Sequence, residues 1–273
     1  MTTDFPAAFY SPLGDDHYQP TEATAGPWSA ELQHGSPPCA LLVHVMRRHS
    51  ANPALLLSRV TVEILGPISM AACRIKVETV RAGKQIELLR GSYYCGDKLV
   101  LLANAWNLLP EEGVTAGEVV TWPFALPALP PPAAGVPLSF PSPYDFKYGQ
   151  AIYWHFTEGA CHEKGPATTW FRKRIDLIEG EPDDELDLLF SAVDSANGIS
   201  AELDPAKWSF VPVDMTVNLF RYPAGEWLGM STRMIIHDNG IGQTQTTLFD
   251  QQGSLGAGLQ TLFIRPVPRV GDT

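Results

Sequence analysis

Two stretches of this chain can be laid over one another without a gap. "RVTVEILGPISMAACRIKVETVRAGKQIELLRGSYYCGDKLVLLANAWNLL", from Arg59, falls on "DMTVNLFRYPAGEWLGMSTRMIIHDNGIGQTQTTLFDQQGSLGAGLQTLFI", from Asp214, so that Thr61-Val62 meets Thr216-Val217 and "CGDK" at Cys95 meets "DQQG" at Asp250. Identity is low, and what recurs is the rhythm of strands and turns, the mark of an internal repeat. The alternative is chance agreement between two β-rich segments. Within the first copy, alternation of apolar and polar residues predicts strands near 58–66, 71–82, 84–95 and 98–109, with Gly83 and Gly96 at the turns. The second copy repeats them from 212, with Asn239-Gly240 as a hairpin signal. Each copy therefore reads as an antiparallel meander.

Between the copies, "WPFALPALPPPAAGVPLSFPSP", Trp122 to Pro143, is proline-rich and nearly uncharged, which suits a semi-rigid connector lying along a surface. The expected organisation is an N-terminal unit over 1–110, a linker over 111–143 and a C-terminal unit over 144–273. One helix is expected ahead of each meander, "PPCALLVHVMRRH" on the left and "PDDELDLLFSAVDSA" on the right. Ser36 is a suitable N-cap for the left helix, Pro37 fits its first turn, and Arg47, Arg48 and His49 complement its negative end. Its middle is apolar on every side, so other elements should surround it. One helix enclosed by a curved antiparallel sheet, twice over, makes an α+β protein of the double-hotdog type.

Function classes are narrowed by what the chain carries. A net charge of -11 argues against broad nucleic-acid binding. Arg47 with Arg48, Arg172-Lys173-Arg174, and Arg265 with Arg269 are either solvated faces or grips for a small anion. Cys39, Cys73, Cys95 and Cys161 have no paired spacing, which suggests free thiols in a reducing compartment and neither a zinc ribbon nor a disulfide framework. No apolar run approaches the roughly 18 residues of a membrane span, and a cytoplasmic location is expected. G-x-S-x-G is absent, which leaves an α/β-hydrolase route unsupported. G-x-x-x-x-G-K, G-x-G-x-x-G and H-E-x-x-H are absent too, "CHEKG" at Cys161 lacks the second His, and no metal or other cofactor is expected.

"HYQPTEATAGPWSAELQHGSPPCALL" with "VTVEILGPI", and "FRKRIDLIEGE", "DSANGIS" and "DMTVNLFRYPAGEW", resemble the acyl-CoA thioesterase II (TesB-like) double-hotdog family. The resemblance covers nearly the whole chain outside the connector. It implies hydrolysis of an acyl-CoA substrate by a water held by an Asp, a Gln and a Ser or Thr. Carried over singly, these fall on Asp194 and Gln260, whereas Pro212 stands where the hydroxyl should be. Thr216, two alternations further along the same strand, is the expected substitute. Under the repeat Asp194 meets Cys39 and Gln260 meets Ala105, so only one of two related sites is expected to be active.

Donors for the thioester oxyanion are expected where the left helix begins, at Gly35 and Ser36, with His34 able to contact the thioester or pantetheine. A plain capping turn is the alternative. Coenzyme A would place its phosphates at the rim and its acyl chain between the halves, with Trp106, Trp154, Trp170, Trp208 and Trp227 as possible lining. The family also implies a homodimer or larger oligomer. Two other readings stay open: a non-hydrolytic acyl-CoA or lipid binder, motivated by Pro212, and a hydratase or dehydratase, which needs an Asp-His pair.

Overall fold

The computed structural model describes residues 5–115, the strand at 136–137, and 147–267. Most of the connector, and Arg269, lie outside these residues. The chain opens with a hairpin, β1 (Ala8–Gly14) and β2 (His17–Pro20), followed by α1 (Ser36–His49) and the left meander: β3 (Leu56–Ile64), β4 (Cys73–Arg81), β5 (Ile86–Cys95) and β6 (Lys98–Leu108). After β7 (Val136–Pro137) come α2 (Lys147–Ala151), β8 (Ile152–Glu158), β9 (Ala167–Lys173), β10 (Asp176–Ile178), α3 (Asp187–Phe190) and α4 (Ala196–Ile199). The right meander closes the chain: β11 (Trp208–Leu219), β12 (Leu228–Ile236), β13 (Ile241–Asp250) and β14 (Gly253–Pro266). All eight meander strands fall close to their expected places. β8 and β9 were not anticipated, although "IYWHFTE" and "ATTWFRK" are rich in the aromatic and β-branched residues that favour strands.

Among the described residues the strands form one sheet in the order β10-β1-β2-β4-β5-β6-β3-β11-β14-β13-β12-β9-β8-β7. The two meanders meet where β3 pairs antiparallel with β11, in a register that sets Thr61 opposite Thr216. Their hydroxyls are 2.9 Å apart across a sequence separation of 155 residues. Residues equated by the repeat thus face each other at the seam, as a local twofold axis requires. β10 crosses the division at the connector, because this strand of the right half pairs with β1 through Ala8–Asp176 and Tyr10–Ile178.

As expected, α1 is enclosed, with every residue from Ser36 to Met46 buried. Each large aliphatic side chain so removed from water contributes about 2 kcal/mol before entropy is counted. A side chain at Gly91 on β5 would run into Leu42 and Met46, so glycine there lets the helix lie against the sheet.

The right-hand helix departs from expectation. Residues 187–199 break into α3, a 3-10 turn at Val193–Ser195, and α4. Ser195 N–H donates to Ala192 O at 2.9 Å, a 3-10 bond, while the Ser191 carbonyl accepts from the Tyr148 hydroxyl at 2.9 Å. Ser191, Asp194, Ser195, Asn197 and Gly198 all favour turns over helix interiors. No helix among the described residues is long and apolar enough to cross a membrane.

An ionic layer joins α1 to the right half. His44 Nδ1 contacts the buried Asp187 carboxylate at 3.0 Å, Arg47 reaches Asp184 at 2.7 Å, and Arg48 reaches Glu181 at 2.9 Å. Burial lowers the His44 pKa, but the bond to Asp187 and the charges of Asp187 and Asp184 outweigh it, and the net shift is upward. A raised folded-state pKa stabilises the fold below the unfolded value and loses that contribution as pH rises through the folded value. Denaturant unfolding should therefore show His44→Leu, which strands Asp187, to be destabilised by about 3 kcal/mol, with the deficit shrinking at higher pH. His44→Leu with wild-type stability below pH 6.5, the ordinary His value, would show that the His44–Asp187 pair contributes nothing.

Candidate active site

The N-terminus of α1 is short of donors. Gly35 is the residue before the helix, and Ser36 is its first helical residue instead of its cap, with no side-chain cap bond. Pro37 and Pro38 have no N–H. The Ser36 N–H donates to His34 Nδ1 at 3.1 Å, and the Cys39 N–H to Gly35 O at 3.1 Å. The donor left without a partner among the described residues is the Gly35 N–H.

Against this point lies Asp194, carried by the 3-10 turn between α3 and α4. A Cβ on Gly35 would overlap Asp194 Oδ2, so only glycine admits the carboxylate there. Gln260, on β14, donates Nε2 to Asp194 Oδ1 at 3.0 Å and to Asp194 O at 3.1 Å. Burial pushes the Asp194 carboxyl up to about 6, with the Gln260 bond holding it down in part. Burial also pushes His34 down to about 3. Its Nδ1 accepts from Ser36, which leaves the ring proton on Nε2, so the 3.8 Å approach of Nδ1 to Asp194 Oδ2 is not an ion pair. The His34 ring stacks on Tyr148 at 3.9 Å, and the Tyr148 hydroxyl reaches Ser195 Oγ at 2.8 Å, tying α2 to the turn that carries Asp194.

Asp194, His34 and Gly35 face a cavity of about 1200 Å³ between the halves. Leu32, Ile64, Ile68, Leu203, Phe210 and Pro212 give it apolar walls, and Lys164 and Lys207 are its cations. Gln260 is buried, 2% exposed, and is not part of the wall. Its carboxamide sits behind the carboxylate instead of facing the space a substrate would enter.

The structure does not bring Thr216 to this group. β11 carries a bulge between Pro212 and Asp214: Pro212 pairs with Leu262, yet Asp214 pairs with Thr261. The extra residue inverts the alternation, so Pro212 shares a face with Gln260 and Leu262 while Asp214 and Thr216 turn to the other face. There Thr216 bonds Thr61. The strict period-two count missed the bulge, for which a proline inside a long strand was the available signal.

Other expectations sort themselves by packing. Trp154 and Trp170 are core residues against Phe171 and Phe249, Trp106 is on the half-exposed face of β6, and Trp227 packs on His155. Of the five tryptophans only Trp208 lines the cavity, joined by Trp28, which was not anticipated. The basic clusters are largely paired: Arg172 with Glu226 at 3.3 Å, Lys173 with Asp183, and Arg265 stacked on Phe263 at 3.8 Å. Among the described residues no three His, Cys, Asp or Glu side chains gather to hold a metal. The repeat-related positions Cys39 and Ala105 are fully buried and carry no carboxylate or carboxamide.

Comparison with known proteins follows from this geometry. The N-terminal domain model of the acyl-CoA thioesterases matches residues 24–108, and the C-terminal domain model matches residues 125–264. The chain belongs to the acyl-CoA thioesterase family. As a member it is a thioester hydrolase. No curated protein matches the sequence significantly. Among solved structures, a conserved protein of unknown function with a hot dog fold from Alicyclobacillus acidocaldarius shares 18% identity at a TM-score of 0.73, covering 99% of this chain and 100% of the other. An acyl-CoA thioesterase II, TesB2, from Mycobacterium marinum shares 16% at 0.65, covering 94% and 96%. The tesB protein of Mycobacterium avium subs paratuberculosis shares 15% at 0.64, again over 94% and 96%. At such identities the likeness concerns fold alone, and that fold is the hotdog.

The steric demand at Gly35 gives a direct test. Gly35 has ordinary helical torsions, φ -65° and ψ -28°, so Gly35→Ala carries no backbone strain. The variant should melt within a few degrees of wild type while thioester hydrolysis falls by about a hundredfold, because the new methyl displaces the carboxylate. Unchanged turnover in Gly35→Ala would remove Asp194 and Gly35 from a common site.

Proposed function

We propose that the chain hydrolyses acyl-CoA to the free acid and CoA at one composite site, with Asp194 as general base. The observation that carries this reading is a buried carboxylate from the right half set against the first turn of the enclosed helix of the left half, in the wall of an apolar cavity. A base whose pKa lies near 6 is mostly ionised at neutral pH and still basic enough to accept a proton. Asp194 takes a proton from water as the water oxygen bonds to the thioester carbon. The carbonyl electrons move to oxygen, where the Gly35 N–H and the positive end of α1 stabilise the charge. Collapse re-forms the carbonyl and breaks the C–S bond, and the proton returns from Asp194 to the departing thiolate.

In this scheme Gln260 holds Asp194 and does not contact the water, and Thr216 has no part. The acyl chain occupies the apolar cavity, and the CoA moiety lies past Lys164 and Lys207, whose charges can meet its phosphates once Lys207 exchanges Asp204, 3.7 Å away, for them. The units at 1–110 and 144–273 act as two hotdogs sharing the site, with the connector at 111–143 joining them. A cytoplasmic location rests on the sequence argument alone.

A hydratase reading gains one observation, the approach of His34 to Asp194 at 3.8 Å. It is weakened because the His34 nitrogen facing Asp194 is already engaged by the Ser36 N–H. Asp194→Asn should lower thiol release from acyl-CoA by roughly 10²–10⁴-fold with little change in melting temperature. In the wild type, kcat/KM should fall as pH drops through about 6, the point at which Asp194 gains its proton. Stabilisation by acyl-CoA with no thiol release at any pH would favour a non-hydrolytic binder instead.

Self-association is part of the same proposal. Exposed apolar residues on the outer face of the sheet obey the repeat: Val80 and Ile235, Ile86 and Ile241, and Leu108 and Phe263 occupy equivalent positions in the two meanders. Such a duplicated patch suits a second copy of the chain, and light scattering should report a dimer or larger species that Phe263→Asp with Leu108→Asp reduces to monomer. A wild-type monomer at working concentration would contradict it.

A further inference from the structure

Behind the Asp194 carboxylate, two buried polar atoms lack partners. Gln260 spends its amide nitrogen on Asp194, but its Oε1 has no hydrogen-bond partner. Thr244, on β13 and wholly buried, lies directly opposite Gln260 in the β13–β14 ladder, and its Oγ1 also has none. Directly paired residues of adjacent strands project from the same face, so both side chains point inward. On its other side Thr244 pairs with Met234, whose side chain offers no oxygen acceptor. The next inward threonine shows the contrast, since Thr246 bonds Thr232, which bonds Ser200. Native structures rarely leave such groups unsatisfied, and a site with two polar partners can hold a water.

We infer that Thr244 is a positioning residue of the Asp194 site: its hydroxyl and Gln260 Oε1 share one bridging water, which fixes the Gln260 carboxamide with its N–H groups on Asp194. The bond at Oε1 polarises the amide and strengthens its N–H donors, so the ionised form of Asp194 is favoured. β13 thereby supports the carboxylate from behind, on a face from which Pro212 offers no hydroxyl. The substrate never touches Thr244.

The titratable groups facing Asp194 are His34 before α1, Cys39 within α1 and Tyr148 in α2. Burial pushes Cys39 and Tyr148 upward and His34 down to about 3, so near pH 6 Asp194 titrates alone among them. This inference rests on the proposed role of Asp194, yet its test needs no turnover. Carboxyl resonances of ¹³C-aspartate protein would be followed with pH, the Asp194 signal being the one missing from Asp194→Asn. Thr244→Val should move its midpoint up by about half a pH unit or more, shift the acid limb of kcat/KM equally, and lower kcat. Thr244→Ser should restore both. An unchanged midpoint in a folded Thr244→Val, or in Thr244→Ala should the valine variant fail to melt cooperatively, overturns the inference. A shifted midpoint in a protein whose Asp194→Asn variant keeps full turnover would instead leave Thr244 in place and remove the general base.

Discussion

The β3–β11 seam is the constraint from which the other features follow. Pairing Thr61 with Thr216 joins two meanders edge to edge and removes an exposed strand edge from each. It also sets the halves about a local twofold axis, so that the start of α1 is brought to the right-hand turn carrying Asp194. β10 and the ionic layer around His44 and Asp187 hold that arrangement from the far side, where a strand and a loop of the right half close on the left. The seam hydroxyls are therefore structural, and Thr216 is unavailable for the chemistry its sequence position suggested.

A symmetric scaffold normally offers two equivalent sites, and here the copies have diverged. At equivalent positions the left half has Gly35 and Cys39 where the right has Phe190 and Asp194. Glycine leaves room for a carboxylate, whereas Phe190 and Cys39 are fully buried apolar residues. The desolvation that raises the Asp194 pKa arises from the same packing, because the carboxylate is enclosed by α1, Tyr148 and Gln260 in place of water.

Much of this was legible in the sequence for definite reasons. The meanders were, because period-two alternation and glycine turns survive low identity. The enclosure of α1 was, because His44 alone interrupts the apolar run from Ala40 to Met46. Asp194 and Gln260, taken from the resemblance, lie beside Gly35 and His34, taken from the start of the left helix, with Gln260 behind the carboxylate and the Ser36 N–H turned to His34. What could not be read depends on tertiary detail. The bulge at Val213 reverses a face, Tyr148 diverts a carbonyl and helps break a helix, and Thr244 matters only because it is opposite Gln260.

The central claim is a single shared site, with the base from the right half and the oxyanion donor from the left. A crystal structure with a non-hydrolysable acyl-CoA analogue tests it most directly. The account expects the carbonyl oxygen within hydrogen-bond distance of the Gly35 N–H and the carbonyl carbon facing Asp194 across one water. An analogue whose reacting carbonyl lies beside Cys39 and Phe190, or away from both helix starts, would contradict it.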